Sequence, residues 1–361
     1  MATTTPFPAS PASHAQREAK PVNLAIVGVN FGAGIARNLA RDNRFINVTA
    51  VCDSDTEKAN RLGTELCVQA HNSLDQVLTN TSVEAVGLFT PPIGRAKLIQ
   101  RVLESGRHVM TTKPFELDCA AAEAVLLEAE KRGLAVHMNS PAPVPAEDIA
   151  QIKKWEMEHG LGAPIAMRAA TWANYREVRN GTWYDDPALC PAAPIFRLGV
   201  YFLNDFAVLL GEPKRVHVTQ SRIFTGRPTA DNAQLCIEFA NGALANIFAS
   251  FCIGDGKPWS DEVTLNYERG TIRRWVERTD GGDMSGDHAV MELQRPGGED
   301  GLRFKTRPGG FAGWYEWEAF HDAIRGEINV PLQNAEHVLF GMRLLNAMSR
   351  SAASGQPEFL L

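Results

Sequence analysis

Short aliphatic runs alternate with helical segments along residues 23–139 of this 361-residue chain. The first run, residues 23–29, closes on Gly28, and Gly32-Ala33-Gly34 and then a segment with helical spacing at residues 35–41 follow it. An aliphatic run bounded by glycine is typical of a strand that is buried on both faces of a parallel sheet. Strands and helices in strict alternation therefore predict a doubly wound α/β fold.

The pattern changes at residues 140–145, where three prolines occur within six residues. Prolines so closely spaced stop a strand and indicate a domain boundary. Beyond them, strand-like stretches follow one another with few helices between, which predicts an α+β domain with a largely antiparallel sheet. We therefore expect a flexible tail at residues 1–22, a doubly wound domain at 23–140 and an α+β domain at 141–361.

The composition excludes several functional classes. A formal charge of −6 argues against a basic surface for nucleic acid or an anionic membrane. No apolar run approaches the roughly 18 residues that cross a bilayer, and the tail lacks the apolar centre of a signal peptide. The six cysteines show no CxxC spacing, which argues against disulfides and against a metal site. We expect a soluble, cytoplasmic enzyme.

The segment Gly28–Gly34 lies between the first predicted strand and the helix that follows it. Glycines let the backbone approach a pyrophosphate, and the helix N-terminus offers N–H groups to it. Asp53 closes the second predicted strand, where a carboxylate accepts hydrogen bonds from a ribose diol and repels a 2′-phosphate. We predict NAD rather than NADP, bound by Gly28, Asn30, Phe31, Gly32 and Asp53. The alternative is a tight strand–helix turn without a ligand.

The order of Gly28–Gly34, Asp53, Thr90-Pro91, Lys113-Pro114 and the helix at Arg197–Asp205 resembles the Gfo/Idh/MocA oxidoreductases. These are the relatives of glucose–fructose oxidoreductase and inositol dehydrogenase, and the resemblance extends over residues 23–361. It implies an N-terminal Rossmann domain and a C-terminal domain with a large, mostly antiparallel open sheet. It also implies a homodimer or homotetramer, and a cofactor site that includes Thr90, Pro91, Lys113 and Pro114.

Lys113 follows a predicted strand, within a Thr-Lys-Pro triplet that resembles the Glu-Lys-Pro triplet of the family. A lysine ammonium can donate a hydrogen bond to a substrate oxygen, and the neutral amine can accept a hydroxyl proton. The resemblance makes Lys113 a catalytic candidate. The alternative is a solvated lysine at the end of a strand.

The helix at residues 197–205 replaces the family's Asp, His and Asp with Arg197, Tyr201 and Asn204. Spacings of four and three residues predict that these three side chains share one helix face. We expect Tyr201 to be the second catalytic residue, with its pKa lowered by nearby cations. Arg197 and Asn204 are expected to bind substrate. The alternative is that Tyr201 packs in the core and Arg197 forms a surface ion pair.

Three further residues complete the predicted substrate site. Arg95 occupies the histidine position of the family's Thr-Pro loop, and arginine does not release a proton near neutral pH. We expect Arg95 and Arg197 to hold a substrate carboxylate or phosphate. Trp172 and Tyr175 are expected to stack on a sugar or carbocyclic ring, unless they belong to the edge of a core.

Together these residues predict an NAD(P)-dependent oxidoreductase that acts on a secondary hydroxyl or carbonyl of a sugar, polyol or related cyclic alcohol. Two alternatives stay open. One is a lyase or hydrolase that uses tightly bound NAD for a transient oxidation, and the other is a catalytically silent nucleotide-binding sensor. No HExxH motif, nucleophile elbow or Walker loop occurs in the sequence.

Overall fold

The computed structural model describes residues 20–257, 259–278, 287–298, 301–311, 313–327 and 330–360. The predicted flexible tail at residues 1–22 therefore lies almost wholly outside the described residues. No helix within the described ranges is both long enough and apolar enough to span a membrane.

The chain forms two compact units and passes between them several times. The first unit comprises Met1–Thr112, Ala120–Pro145 and Tyr315–Asn334, and the second comprises Lys113–Cys119, Ala146–Trp314 and Ala335–Leu361. Our predicted domain bounds place Tyr315–Asn334 with the second part, whereas its contacts lie in the first unit. The segment belongs to the first unit because its residues Phe320 and Ala323 pack in the hydrophobic core of that unit.

The first unit is built on a six-stranded parallel sheet in the order β3-β2-β1-β4-β5-β6. Its strands are β1 (Val22–Val27), β2 (Ile46–Cys52), β3 (Gln69–His71), β4 (Ala85–Leu88), β5 (His108–Thr111) and β6 (Val136–Met138). Its helices are α1 (Val29–Arg41), α2 (Thr56–Leu66), α3 (Leu74–Thr79), α4 (Arg95–Glu104), α5 (Cys119–Arg132) and α8 (Trp317–Arg325). This strand order is that of the Rossmann fold, so the predicted fold of this part is confirmed.

The strand order reverses between β1 and β4, which are neighbours in the sheet. Parallel sheets of this kind bind ligands at the carboxyl ends of the strands on either side of the reversal. Gly28 follows β1 directly and Thr90 lies two residues beyond β4. The fold therefore places the predicted glycine loop and the Thr-Pro loop at the same edge of the sheet.

The second unit contains a nine-stranded sheet in the order β14-β13-β12-β11-β7-β10-β9-β8-β15. Its strands are β7 (Pro164–Trp172), β8 (Pro213–Ser221), β9 (Asn232–Phe239), β10 (Leu244–Ser250), β11 (Ser260–Tyr267), β12 (Gly270–Glu277), β13 (His288–Gln294), β14 (Leu302–Thr306) and β15 (Glu358–Phe359). All pairs are antiparallel except β7 with β10. The mostly antiparallel sheet is confirmed, and β13, β14 and β15 are strands that the sequence patterns did not reveal.

Helices cover one face of this second sheet. They are α6 (Glu147–Glu158), α7 (Val200–Leu210) and α9 (Ala335–Ser354), and a π-helical turn (Ile195–Gly199) precedes α7. Alternate residues of β7, such as Met167 and Ala169, share a core with Phe202 and Phe206 of α7. Because successive strand residues point to opposite faces, the residues between them belong to the other face of the sheet.

A buried arginine fastens several segments of the second unit. The Arg274 side chain is 0% exposed and donates hydrogen bonds to the carboxylates of Asp148 and Asp261 and to the Gly310 carbonyl. Burial raises the pKa of Asp261, and the adjacent Arg274 opposes that rise. A charge so deep in a protein is tolerated only when it is paired and hydrogen-bonded. Arg274 therefore ties α6, β11 and the segment at Gly310 to β12.

We expect Arg274→Met to destabilise the protein by about 3–5 kcal/mol, because the change leaves two buried carboxylates without their partner. Urea unfolding followed by circular dichroism measures the loss. The matched control is Arg303→Met, since the Arg303 side chain is 65% exposed and pairs loosely with Glu292 at 3.7 Å. Loss of that exposed pair costs about 1 kcal/mol or less, and equal losses for the two variants would contradict a structural role for the buried network.

Candidate functional site

Gly28 forms the turn between β1 and α1 in a conformation that requires glycine. Its φ is +90°, and a Cβ atom at this position would lie 2.8 Å from the Phe89 carbonyl oxygen. Both the left-handed backbone and the close approach of the β4 loop exclude a side chain. The helix begins at the next residue, so Asn30, Phe31 and Gly32 all lie in the first turn of α1.

The Asp53 carboxylate binds the start of α1. Its Oδ2 accepts a hydrogen bond from the Val29 N–H at 2.9 Å, and its Oδ1 accepts one from the Asp55 N–H at 3.0 Å. The Lys58 ammonium donates to the Asn30 side-chain oxygen at 3.0 Å. The structure thus brings Asp53 and Asn30 together with Gly28, and it adds Lys58, which sequence reasoning missed because α2 carried no recognisable motif.

Phe31 is an exposed aromatic residue beside the glycine turn. It is 57% exposed, and its ring meets the Phe89 ring edge-on with 6.2 Å between centroids. Gly32 is buried beneath it, where a Cβ atom would lie 2.8 Å from a methyl group of Ile26. Gly32 therefore lets α1 pack closely on the sheet, and Phe31 presents an apolar surface at the carboxyl edge.

Arg95 lies in the interior of the first unit, which changes its predicted role. The residue is 1% exposed, and its guanidinium donates hydrogen bonds to the carbonyl oxygens of Thr112, at 2.6 Å, and Thr90. A buried guanidinium that donates to these backbone carbonyls is not exposed to a substrate anion. We correct the expectation accordingly: Arg95 fastens the segments that follow β4 and β5 to each other.

The buried Thr90 hydroxyl has no hydrogen-bond partner among the described residues. The Tyr315 ring packs against Phe89 with centroids 5.6 Å apart, and its buried hydroxyl interacts with the Thr112 side chain. Burial raises the Tyr315 pKa, while Thr112 and Arg95 act in the opposite direction. A buried hydroxyl without a partner is costly, so the Thr90 hydroxyl is suited to a polar ligand. Tyr315 was not predicted, because its contacts with Phe89 span more than two hundred residues.

Lys113 belongs to the second unit, where its side chain meets the start of α7. The Lys113 ammonium donates to the Arg197 carbonyl oxygen at 2.5 Å and lies 4.5 Å from the centre of the Tyr201 ring. Burial lowers its pKa to about 7, and the positive charge of Arg197 adds to this effect. A lysine with such a pKa can take up or release a proton at Nζ near neutral pH.

Arg197 does not share a helix face with Tyr201 and Asn204 in the way that their spacing predicts. It lies in the π-helical turn, whose wider winding alters the angular spacing before α7 begins at Val200. Asn204 is 4% exposed and faces α9, where its side-chain oxygen occupies the space that a Cβ of Gly341 would need. The expectation that Asn204 binds substrate is therefore corrected: it packs between two helices.

The Arg197 guanidinium is enclosed by an acid and three aromatic rings. It binds both carboxylate oxygens of Glu177, at 2.5 and 3.0 Å. Its Cζ lies 4.0 Å from the Tyr184 ring centre, 4.8 Å from that of Phe251 and 5.3 Å from that of Tyr175. Arg197 is thus paired internally, which corrects the expectation that it holds a substrate carboxylate or phosphate.

The two predicted aromatic residues, Trp172 and Tyr175, lie in different places. Tyr175 is 43% exposed and belongs to the Arg197 cluster. Trp172 follows Thr171 on β7 and points to the sheet face opposite the core, where its indole N–H donates to the Asp255 carboxylate at 3.0 Å. Trp172 is therefore separated from Lys113 and Tyr201 by the sheet itself. The alternation of side chains between the two faces along β7 is enough to place Trp172 on the face opposite the core.

Comparisons with known proteins match both parts of the chain. Residues 22–140 match the profile of an oxidoreductase family with an NAD-binding Rossmann fold, and residues 149–273 match the GFO/IDH/MocA C-terminal domain. UDP-N-acetylglucosamine 3-dehydrogenase of Acidithiobacillus ferrooxidans is 25% identical over 203 residues, which are 56% of this chain and 59% of that protein. The chain thus aligns with about three fifths of that relative's length.

Two further proteins resemble the chain over more of its length. D-apiose dehydrogenase of Paraburkholderia graminis is 22% identical over 310 residues, which cover 83% of this chain and 76% of the relative. The crystal structure of an aldose-aldose oxidoreductase from Caulobacter crescentus superimposes with a TM-score of 0.72 at 18% identity, covering 94% of this chain and all of the other. With one family's profiles matched in its N-terminal and C-terminal parts, the chain belongs to the Gfo/Idh/MocA oxidoreductase family.

Proposed function

We propose that this protein is an NAD-dependent dehydrogenase or reductase that acts on a secondary hydroxyl or carbonyl of a sugar or sugar derivative. The observation that carries the proposal is the position of Lys113, whose ammonium is held against the Arg197 carbonyl and the Tyr201 ring with a pKa near neutrality. The sugar relatives support the substrate class.

The first unit supports a dinucleotide by its own geometry. Gly28 leaves the backbone bare at the start of α1, and Asp53 lies beside it. The buried hydroxyls of Thr90 and Tyr315 can offer hydrogen bonds to a polar ligand such as a carboxamide. These residues fit a nicotinamide dinucleotide, which when bound supplies a carbon that accepts or gives up a hydride.

Lys113 handles the proton of the reaction. During oxidation the neutral amine accepts the proton of the substrate hydroxyl at Nζ, and during reduction the ammonium returns it. Tyr201 orients this group, because its ring attracts the ammonium form by a cation–π contact at 4.5 Å. Since the Lys113 pKa is about 7, oxidation should speed up as the pH rises through 7 and reduction should slow down.

The test is a panel of aldoses, nucleotide sugars, inositols and cyclic diols, each assayed with NAD by the absorbance of NADH. Net NADH from at least one sugar supports a dehydrogenase. Cofactor that copurifies and turns over substrate without any net NADH would instead support the transient-oxidation alternative. A protein that binds neither NAD nor NADH contradicts the proposal in full.

The cofactor preference gives a first prediction. We expect NAD to bind at least tenfold more tightly than NADP, because the Asp53 carboxylate repels a 2′-phosphate. Isothermal titration with each cofactor measures the ratio of the two dissociation constants, and Asp53→Ser should bring that ratio closer to one. The control is Asp75→Ser in the first turn of α3, whose side chain is 78% exposed. Equal or tighter binding of NADP by the unmodified protein would show that Asp53 does not select the cofactor.

The role of Lys113 gives a second prediction. Lys113→Met should bind NADH as tightly as the unmodified protein, while turnover falls about a hundredfold to ten-thousandfold, as is typical of a lost acid–base group. Steady-state rates with the best substrate of the panel measure this. Lys214→Met is the control, since the Lys214 side chain is 54% exposed on β8. Turnover close to normal in folded Lys113→Met would remove Lys113 from the mechanism.

The buried Tyr315 phenol gives a third prediction. Tyr315→Phe should weaken NADH binding about threefold to tenfold, the worth of one neutral hydrogen bond. Fluorescence titration of NADH measures it without any substrate. Tyr267→Phe is the matched control, because Tyr267 also has a buried hydroxyl but lies on β11 of the second unit. If both variants bind NADH like the unmodified protein, the Tyr315 hydroxyl does not contact the cofactor.

The uncovered face of the nine-stranded sheet supports the homodimer or homotetramer that the resemblance implies. Leu244, Phe248 and Trp172 alternate with core residues and so lie on this face. Apolar side chains gathered on an exposed sheet face are typical of an interface between subunits. Light scattering after size-exclusion chromatography determines the assembly.

A further inference from the structure

The Arg197–Glu177 ion pair lies directly behind Lys113. Arg197 contributes its carbonyl oxygen to the Lys113 ammonium and its guanidinium to Glu177, so one residue joins the two groups. The Arg197 side chain is 13% exposed and the Glu177 side chain 34%. Three aromatic rings enclose the guanidinium, and this enclosure reduces the screening of its charge by water.

A second arginine holds Glu177 from the other side. Arg227 lies 3.2 Å from the Glu177 carboxylate and 3.4 Å from the Asp185 carboxylate, and its side chain is 5% exposed. It also donates to the Val178 carbonyl. Glu177 therefore has a fixed position between two guanidinium groups, and its single negative charge is shared by both.

We propose that the Arg197–Glu177 ion pair is a positioning device that sets the charge state of Lys113. This inference rests on the proposed function, in which Lys113 carries the proton. The positive charge of the Arg197 guanidinium disfavours the protonated form of Lys113, whose ammonium is bound by the Arg197 carbonyl. The negative charge of Glu177 partly neutralises the guanidinium and so weakens this effect. Neutral and protonated Lys113 are thereby both populated at the pH where a proton carrier is needed.

The other groups that face Lys113 do not supply this balance. Tyr201 presents its ring, which favours the ammonium. Cys190 is buried, and its pKa is raised to about 12 by that burial, so its thiol stays neutral near pH 7. Among the groups named here, Arg197 is thus the cation that opposes the Lys113 charge.

The two halves of the ion pair have opposite effects on Lys113. Arg197→Gln removes a positive charge and should raise the Lys113 pKa. Glu177→Gln leaves the Arg197 charge less compensated and should lower it. If the pair were only structural, each change would loosen the same segment and admit water. Hydration would then move the Lys113 pKa towards its ordinary value of 10.5 in both variants.

The experiment measures the Lys113 pKa directly in the full chain, without substrate. Acetic anhydride labels neutral amines, and mass spectrometry of the Lys113 peptide gives the extent of labelling between pH 5 and 10. We expect a midpoint near 7 for the unmodified protein, at least about one pH unit higher for Arg197→Gln, and lower than 7 for Glu177→Gln. The double variant should lie between the two single variants.

Arg215→Gln is the matched control, because the Arg215 side chain, on β8, is 47% exposed and pairs with Glu238 at 2.8 Å. The Lys113 midpoint should not move in this variant. Shifts in the same direction for Arg197→Gln and Glu177→Gln, or no shift in either, overturn the inference. If Arg197→Gln fails to fold, the sign of the Glu177→Gln shift decides alone. A midpoint near 10 in the unmodified protein contradicts the proposed role of Lys113 itself, so the two failures are distinguishable.

Discussion

Buried guanidinium groups must find partners for their N–H donors, and this requirement organises much of the molecule. Arg95, Arg197 and Arg274 are each largely withdrawn from water, and each donates to a different set of oxygens. An uncompensated charge in the interior costs several kcal/mol, so the segments that supply those oxygens are held in place. Planar guanidinium groups are suited to this, since they bind two or three acceptors in fixed directions.

The three arginines have different consequences. Arg274 joins α6, β11 and the Gly310 segment to β12, and so stabilises the second unit. Arg95 fastens the carbonyls of Thr90 and Thr112 within the first unit. Arg197 combines both tasks, because its side chain holds Glu177 while its backbone carbonyl receives Lys113. The residue that holds the ion pair therefore also binds the proposed proton carrier, Lys113.

This pairing also alters the expected substrate preference. The sequence suggested two cations that would hold a carboxylate or phosphate, whereas the guanidinium groups of Arg95 and Arg197 both donate to oxygens of the protein itself. An anionic group at Arg197 would have to displace Glu177, which loses a bidentate ion pair among aromatic rings. With Lys113 as the proposed proton carrier, this arrangement fits a substrate hydroxyl that approaches Lys113 without a charged anchor at Arg197. Tyr175, 43% exposed, borders the Arg197 cluster.

The sequence by itself determined the parts of the protein that depend on local spacing. Aliphatic runs alternating with helical spacing identified most of the strands and helices of the parallel sheet. The succession of strands with few helices between them predicted the antiparallel character of the second sheet. Gly28 was identified because its backbone conformation excludes other residues, and Lys113 because it follows a sheet strand. The tertiary structure alone decided which charges meet. Arg274 and Asp148 are 126 positions apart, and Arg197 finds Glu177 only when the 177–185 segment folds back over it, so no spacing rule could pair them. The π-helical turn before Val200 likewise broke the helix face that regular spacing predicted.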